Sequence, residues 1–255
     1  MRCGVGGSVG ARMSASTQRL GTSPFDGSNR VCKMTREDRS RGQSIVSAET
    51  TTTSPLIWEE PNAIQVHVTL DRIEPPIWRR LVVPLRATLA ELHHILQAAM
   101  GWTDSHLHEF EIGGLRYGDI DLLNAERSED DALAFDAFEV RLRDFSRAPG
   151  TAFTYVYDFG DNWRHTVTLE KLLAVKPAPK STTCIEGARC CPPEDVGGPD
   201  GYFEFLRVLL SPEPEEIEEQ RHLKRWSGGK FNPERFDLAK IDKAVRGALR
   251  KRRRA

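Results

Sequence analysis

No stretch of this sequence approaches the roughly 18 consecutive apolar residues that a membrane-spanning helix requires, and the expectation is a protein without a membrane phase. The N-terminus carries basic residues but lacks the 7–15-residue apolar stretch of a secretory signal. Charge of one sign is not in excess either. The 36 Lys and Arg residues against 37 Asp and Glu leave a formal charge of −1, a balance that argues neither for nor against nucleic acid. Cysteine is sparse and odd in number: Cys3, Cys32, Cys184, Cys190 and Cys191. That excludes an extracellular disulfide framework and places the protein in a reducing cytoplasm with free thiols.

At 255 residues the chain is long enough for one large domain or two small ones with a sizeable core. Residues 1–55 are rich in Gly, Ser, Thr and Arg and show no period. They cannot bury enough apolar surface to offset the entropy of ordering, and the expectation is a disordered, low-complexity tail. Within it, Met13 and Met34 are alternative translation starts to Met1. Residues 56–250 form the folded domain, and 251–255 a basic C-terminal tail.

Within the domain, Ile64, Val66, Val68 and Leu70 alternate with polar residues as a strand with one dry face does, leaving His67 on the wet face. A second strand runs from Ile77 to Val83. Thr88 and Glu91 have the spacing of a helix capping box. Leu89, Leu92, Ile95, Leu96 and Ala99 then share one helical face, and Gly101 stands at the left-handed cap position. His93 and His94 point about 100° apart on that helix and are read as helix-surface residues. Residues Trp102 to Ile112 predict a strand, and residues 119–136 an acidic loop. Phe138, Val140 and Leu142 alternate as a further strand. The loop from Cys184 to Gly201 is too rich in Gly and Pro to be regular. Helices are expected around Tyr202–Leu209, Glu213–Trp226 and Leu238–Leu249.

The densest chemistry lies between Tyr155 and His165. Two tyrosines alternate into a turn made by Asp158, Gly160, Asp161 and Asn162, and Val167 and Leu169 resume the alternation, so the stretch reads as a hairpin. His106 and His108, two apart on one strand, share a face. With Asp161, His165 and Asp195 they are the candidate metal ligands, for a divalent ion such as zinc. Trp163, Arg164 and Arg189 are the candidate binding residues, the two arginines suited to phosphate. The bland alternative is that the hairpin residues lock a complicated turn and the histidines bond to backbone or water.

Several segments in order resemble the plasmid pRiA4b ORF-3-like family: Pro75-Pro-Ile-Trp-Arg-Arg80, Thr88 to Leu92, Gln97 to Phe110, Tyr157-Asp-Phe-Gly-Asp-Asn-Trp-Arg-His165, Cys191-Pro-Pro-Glu-Asp-Val-Gly-Gly198 and Trp226 to Pro233. The resemblance implies an α+β domain with a mixed sheet, to which the strand–strand–helix–strand order adds a β-grasp-like core as a compatible variant. It also implies a passenger protein of plasmids and insertion elements without an assigned reaction. The functional expectation is a non-catalytic module that binds nucleic acid or a mobile-element protein partner. The alternative is a metal-assisted hydrolase acting on phosphoester or nucleic-acid substrates.

Overall fold

The structure, a computed structural model, describes residues 59–125, 133–145, 150–229 and 231–251. The tail at 1–55, the acidic centre Glu129–Asp131 and the basic residues 252–255 lie outside the described residues.

The strands are β1 (Ala63–Leu70), β2 (Ile77–Pro84), β3 (His108–Ile112), β4 (Leu115–Gly118), β5 (Ala134–Asp136), β6 (Ala152–Tyr157), β7 (Trp163–Leu173) and β8 (Thr183–Ala188). The helices are α1 (Leu89–Met100), α2 (Ile120–Ala125), α3 (Leu142–Phe145), α4 (Gly198–Leu210), α5 (Ile217–Trp226) and α6 (Leu238–Lys251). One sheet joins the strands in the order β5-β4-β3-β6-β7-β1-β2-β8. Only β4 and β5, at one edge, run parallel. The α+β expectation with a mixed sheet holds. Its β-grasp-like variant would need a parallel pair at the sheet centre, and here the centre is antiparallel.

Alternation decides which face of the sheet is dry. Ile64, Val66, Val68 and Leu70 of β1 and Val167 and Leu169 of β7 are all at most 1% exposed. Their neighbours face a polar layer, in which Glu170 accepts from Gln65 (2.7 Å) and Arg80 (2.9 Å). His67 belongs to this layer, half-buried against Trp78. The dry face is covered by α1, whose Leu89, Leu92, Ile95, Leu96 and Ala99 are fully buried. The expected capping box is present: the Thr88 hydroxyl accepts from the Glu91 amide at 3.1 Å, and the Glu91 carboxylate accepts from the Thr88 amide at 2.9 Å. Gly101 ends α1 at φ 89°, where a Cβ would be strained. Helix α6 lies on α1 and β8, with Val245 buried.

Three local expectations are corrected. Phe138–Leu142 is not a strand, although its residues alternate. The amides of Leu142 and Arg143 bond instead to the carbonyls of Ala87 and Leu85, which leaves one isolated bridge and the short helix α3. The Cys184 loop is partly regular, because Thr183–Ala188 pairs with β2 as β8 and so satisfies an edge that would otherwise stay open. Trp102 to Leu107 is a loop, and β3 starts only at His108.

Because Thr88 satisfies an orphan amide at the start of the helix that covers the sheet, Thr88→Ala is expected to lower the unfolding free energy by about 1 kcal/mol. Urea denaturation measures this, and an unchanged midpoint would show that the cap is not needed.

Candidate functional site

Three segments meet at one end of the β6–β7 hairpin: the α1–β3 loop (Gly101–Leu107), the hairpin turn (Asp158–Asn162) and the loop that follows β8. Each is held by its own chemistry. The turn closes through Asp158, whose Oδ1 accepts from the amides of Gly160 (3.0 Å) and Asp161 (3.2 Å). Asp158 and Asn162 both adopt positive φ, 58° and 52°, which Asx side chains tolerate better than most. The loop after β8 is pinned to the turn by Asp161, whose Oδ2 accepts from the Gly197 amide at 3.1 Å. A Cβ at Gly198 would run into the Asp161 carbonyl, so only glycine permits this approach. Glu194 ties the same loop to the first segment: it accepts from the Tyr157 hydroxyl at 2.6 Å and from the Thr103 amide at 3.1 Å. Trp102 completes the junction, stacking on Tyr157 and donating its indole N–H to the Pro192 carbonyl at 3.0 Å.

Two groups of ligand-type atoms converge around this junction. In the first, His106 Nε2 lies 3.1 Å from Asp195 Oδ1 and 3.6 Å from Asp158 Oδ2. The His106 nitrogen makes no hydrogen bond to either carboxylate. All three donor atoms lie within 4.8 Å of one another. Asp158 is buried, His106 half-buried, and the Asp195 carboxylate 71% exposed, so the group opens to solvent on one side.

The second group is His93, His94 and Asp104. Here the histidine at the centre is hydrogen-bonded on both ring nitrogens. His93, 1% exposed, joins Tyr155 Oη at 2.8 Å through Nδ1 and Asp104 Oδ1 at 2.6 Å through Nε2. The other Asp104 oxygen lies 3.3 Å from His94 Nδ1. Gln97 donates to the Tyr155 hydroxyl (3.0 Å) and accepts from the Asp104 amide (3.1 Å). The hydrogen bond from His93 holds the Asp104 carboxyl below its ordinary range.

His93 and His94 are therefore not simply helix-surface residues. Asp104, at φ 63°, folds back over the end of α1 so that its two oxygens span the angle between them.

The five expected ligands divide. His106 and Asp195 come together, with Asp158 as their third neighbour where Asp161 was expected. Asp161 serves instead as the loop clasp. His106 precedes β3, so it does not share a strand face with His108. The His108 ring lies flat on His93, 3.4 Å between centroids and 6° between planes. His165 is fully buried, its Nδ1 3.3 Å from the Tyr155 carbonyl and its ring edge-on to Trp102. No three of the five meet in one ligand group among the described residues. The parity of β7 contains the signal for His165: it and Trp163 fall in step with Val167 and Leu169, the dry positions.

The expected binding residues are also engaged. Trp163 is 1% exposed in the core. Arg164 pairs with Glu111 at 2.8 Å. Arg189, buried, pairs with Glu234 at 2.9 Å and donates to the Pro75 carbonyl. Asp158, read from the sequence as a turn residue and not as a ligand, joins Asp195 in the first group, and Asp104, which the sequence reading did not single out, supplies the carboxylate of the second. Their positions in a turn and just beyond a helix cap were the available signal. Cys184, Cys190 and Cys191 are free thiols, and Cys3 and Cys32 lie outside the described residues.

The chain matches the family described as plasmid pRiA4b ORF-3-like protein over residues 62–240, and it belongs to that family. It is 37% identical over 186 residues to the uncharacterized protein y4hQ of Sinorhizobium fredii, covering 72% of this chain and 91% of the relative. A crystal structure of a protein of unknown function, MM3350 from Methanosarcina mazei Go1, superposes with a TM-score of 0.60 at 35% identity. It covers 70% of this chain and 95% of that one. Among the described residues no helix is long and apolar enough to cross a membrane.

Burial drives the imidazoles of His108 and His165 down, to about 3 and about 4. Both are neutral in the fold at pH values where the unfolded chain, with histidine near 6.5, takes up protons. Their contribution to stability is present above pH 6.5 and is lost as pH falls toward 4, by about 1.4 kcal/mol per residue per pH unit at most. Urea midpoints measured from pH 7 to 4.5 should fall, and His108→Gln should flatten the slope. A pH-independent midpoint would contradict the burial of both rings.

Proposed function

We propose that the protein is a metal-assisted hydrolase of phosphoester substrates, with His106, Asp158 and Asp195 as the ligand set for a divalent ion. The observation that carries this reading is the His106 nitrogen, aimed between two carboxylate oxygens with no hydrogen bond to either. Such a group is costly to leave half-buried unless something satisfies it. One imidazole and two carboxylates suit zinc or manganese. Three protein ligands with one open, solvent-facing side are the pattern of a catalytic rather than a structural site. A divalent ion there would supply Lewis-acid polarisation of a phosphoryl oxygen.

The residues around it have separate tasks. Asp158 is fixed by the two amides it accepts from, so its free oxygen is oriented before any ligand arrives. Asp195, exposed and at φ 59°, is carried to the site by the Asp161 and Glu194 clasps. The hydrogen-bonded group at His93, His94 and Asp104 is the more self-sufficient of the two and acts in this reading as support for the loop that carries His106.

The non-catalytic alternative, a module of a mobile element that binds nucleic acid or a protein partner, is favoured by one observation. Helix α6 carries Lys240, Lys243 and Arg246, all exposed, enough charge for several phosphate contacts. Trp163 and Arg189 support it less, being committed to packing and ion pairing.

Calorimetric titration of the full chain with Zn²⁺ and Mn²⁺ separates the two. The hydrolase reading expects one ion per chain, an affinity loss of at least tenfold in His106→Ala and in Asp195→Asn, and metal-dependent cleavage of bis(p-nitrophenyl) phosphate that both variants lose. The absence of binding, or binding indifferent to both substitutions, would overturn it.

A further inference from the structure

A cleft with a different character runs between the C-terminal half of α1 and α6. Its larger lobe, about 900 Å³, is lined by His94, Gln97, Trp102 and Asp104 on one side and by Lys240 and Lys243 of α6 on the other. A second lobe of about 470 Å³ shares Ala98, Gly101, Lys240 and Ala244 with the first, and extends past Lys240 to Arg79, Arg189 and Arg235. The larger lobe falls within the range of small-molecule sites, roughly 300–1,000 Å³.

The charge of its walls is unbalanced. Arg189, Arg235 and Arg246 nearby each have a carboxylate partner, at 2.9, 3.5 and 2.6 Å. Among the described residues Lys240 and Lys243 have none, although they lie one helical turn apart on the same side of the cleft. Arg79 is more unusual. It is 1% exposed, and its donors go to the carbonyls of Ala99, Trp78, Ala188 and Arg189 and to the Cys191 thiol. Its hydrogen bonds are satisfied but its charge is not, since no carboxylate pairs with it among the described residues. A buried cation without a counter-charge raises the potential of the space it lines. Between the charged walls the floor is small and apolar, with Ala98, Ala244 and Ala248, and with Trp102 at the edge. A small residue at each of these positions leaves room for a planar or hydrocarbon group.

We propose that this cleft binds a small organic phosphate, with Lys240 and Lys243 holding the phosphate and the alanine floor and Trp102 receiving the organic part. The size of the lobe selects a mononucleotide-sized molecule over a polymer. The walls select an anion by two unpaired ammonium groups and the field of Arg79. The inference goes beyond the phosphoester reading, because the phosphate is held here by lysines of α6 and not at the His106 group. It rests on the cleft's charge and shape, however, and not on an ion at His106.

The test is calorimetric titration of the full chain with adenosine monophosphate in the presence of EDTA, so that no metal contributes. Binding is expected, at least tenfold tighter than that of inorganic phosphate, and weakening with added salt. The double substitution Lys240→Glu and Lys243→Glu changes two exposed residues and should reduce affinity at least tenfold. Ala244→Phe fills the floor without altering charge and should do the same. His106→Ala should bind as the natural chain does, so failure of the metal reading and failure of this one give different results. Four outcomes would overturn the proposal: no binding of the mononucleotide, binding that survives the lysine reversal, binding indifferent to Ala244→Phe, or a preference for a single-stranded oligonucleotide over the mononucleotide.

Discussion

The His93 imidazole is held on three sides, by the Tyr155 hydroxyl, by the Asp104 carboxylate and by the flat face of His108, and much of the molecule's arrangement depends on that grip. Tyr155 belongs to the central hairpin, Asp104 to the loop after α1, and His108 to the first residue of β3. One side chain thus fixes the helix to the sheet and determines the course of the loop between them. That loop is the one that carries Thr103, bonded to Glu194, and His106, aimed at Asp158 and Asp195. The cost of misplacing the ring is high because His93 and Tyr155 are buried and His108 is half-buried, and an unmade buried hydrogen bond costs about 1–3 kcal/mol. The same burial explains why His108 must be neutral, since a charge stacked on His93 in a dry setting would be unfavourable.

The outline of the fold was legible wherever one rule dominated. Alternation in Ile64–Leu70 and in Val167–Leu169 located two central strands, and the spacing of Thr88 and Glu91 located the start of α1. It misled where backbone groups found partners outside a ladder, as at Leu142, whose amide turns to Ala87. It also fell short in the Cys184 loop, where Gly and Pro suggested irregularity but the open edge of β2 recruited Thr183–Ala188.

The site was legible in part. The density of polar residues in the turn directed attention to a segment where three loops meet. Which side chains converge depended on two things outside the reach of spacing. The strand begins at His108, so the parity assumed for His106 did not apply. Positive-φ carboxylates at Asp104, Asp158 and Asp195 re-aim their oxygens in directions that no helical or strand period encodes. His165 is the instructive case, because its parity with Val167 already placed it indoors, and the chemistry of imidazole drew the reading elsewhere.

Function follows from how the two ligand groups differ. Around Asp104 a network of hydrogen bonds joins His93, Gln97 and Tyr155. Around His106 three ligand atoms face one another with no hydrogen bond to the buried His106 nitrogen, and the Asp195 carboxylate opens the group to solvent. The most direct measurement of this account is anomalous diffraction at the zinc edge from crystals of the full chain grown with Zn²⁺. The account predicts one strong peak bound by His106 Nε2 and by oxygens of Asp158 and Asp195, at about 2.0–2.2 Å. A peak seated between His93, His94 and Asp104, or none at full occupancy, would contradict it.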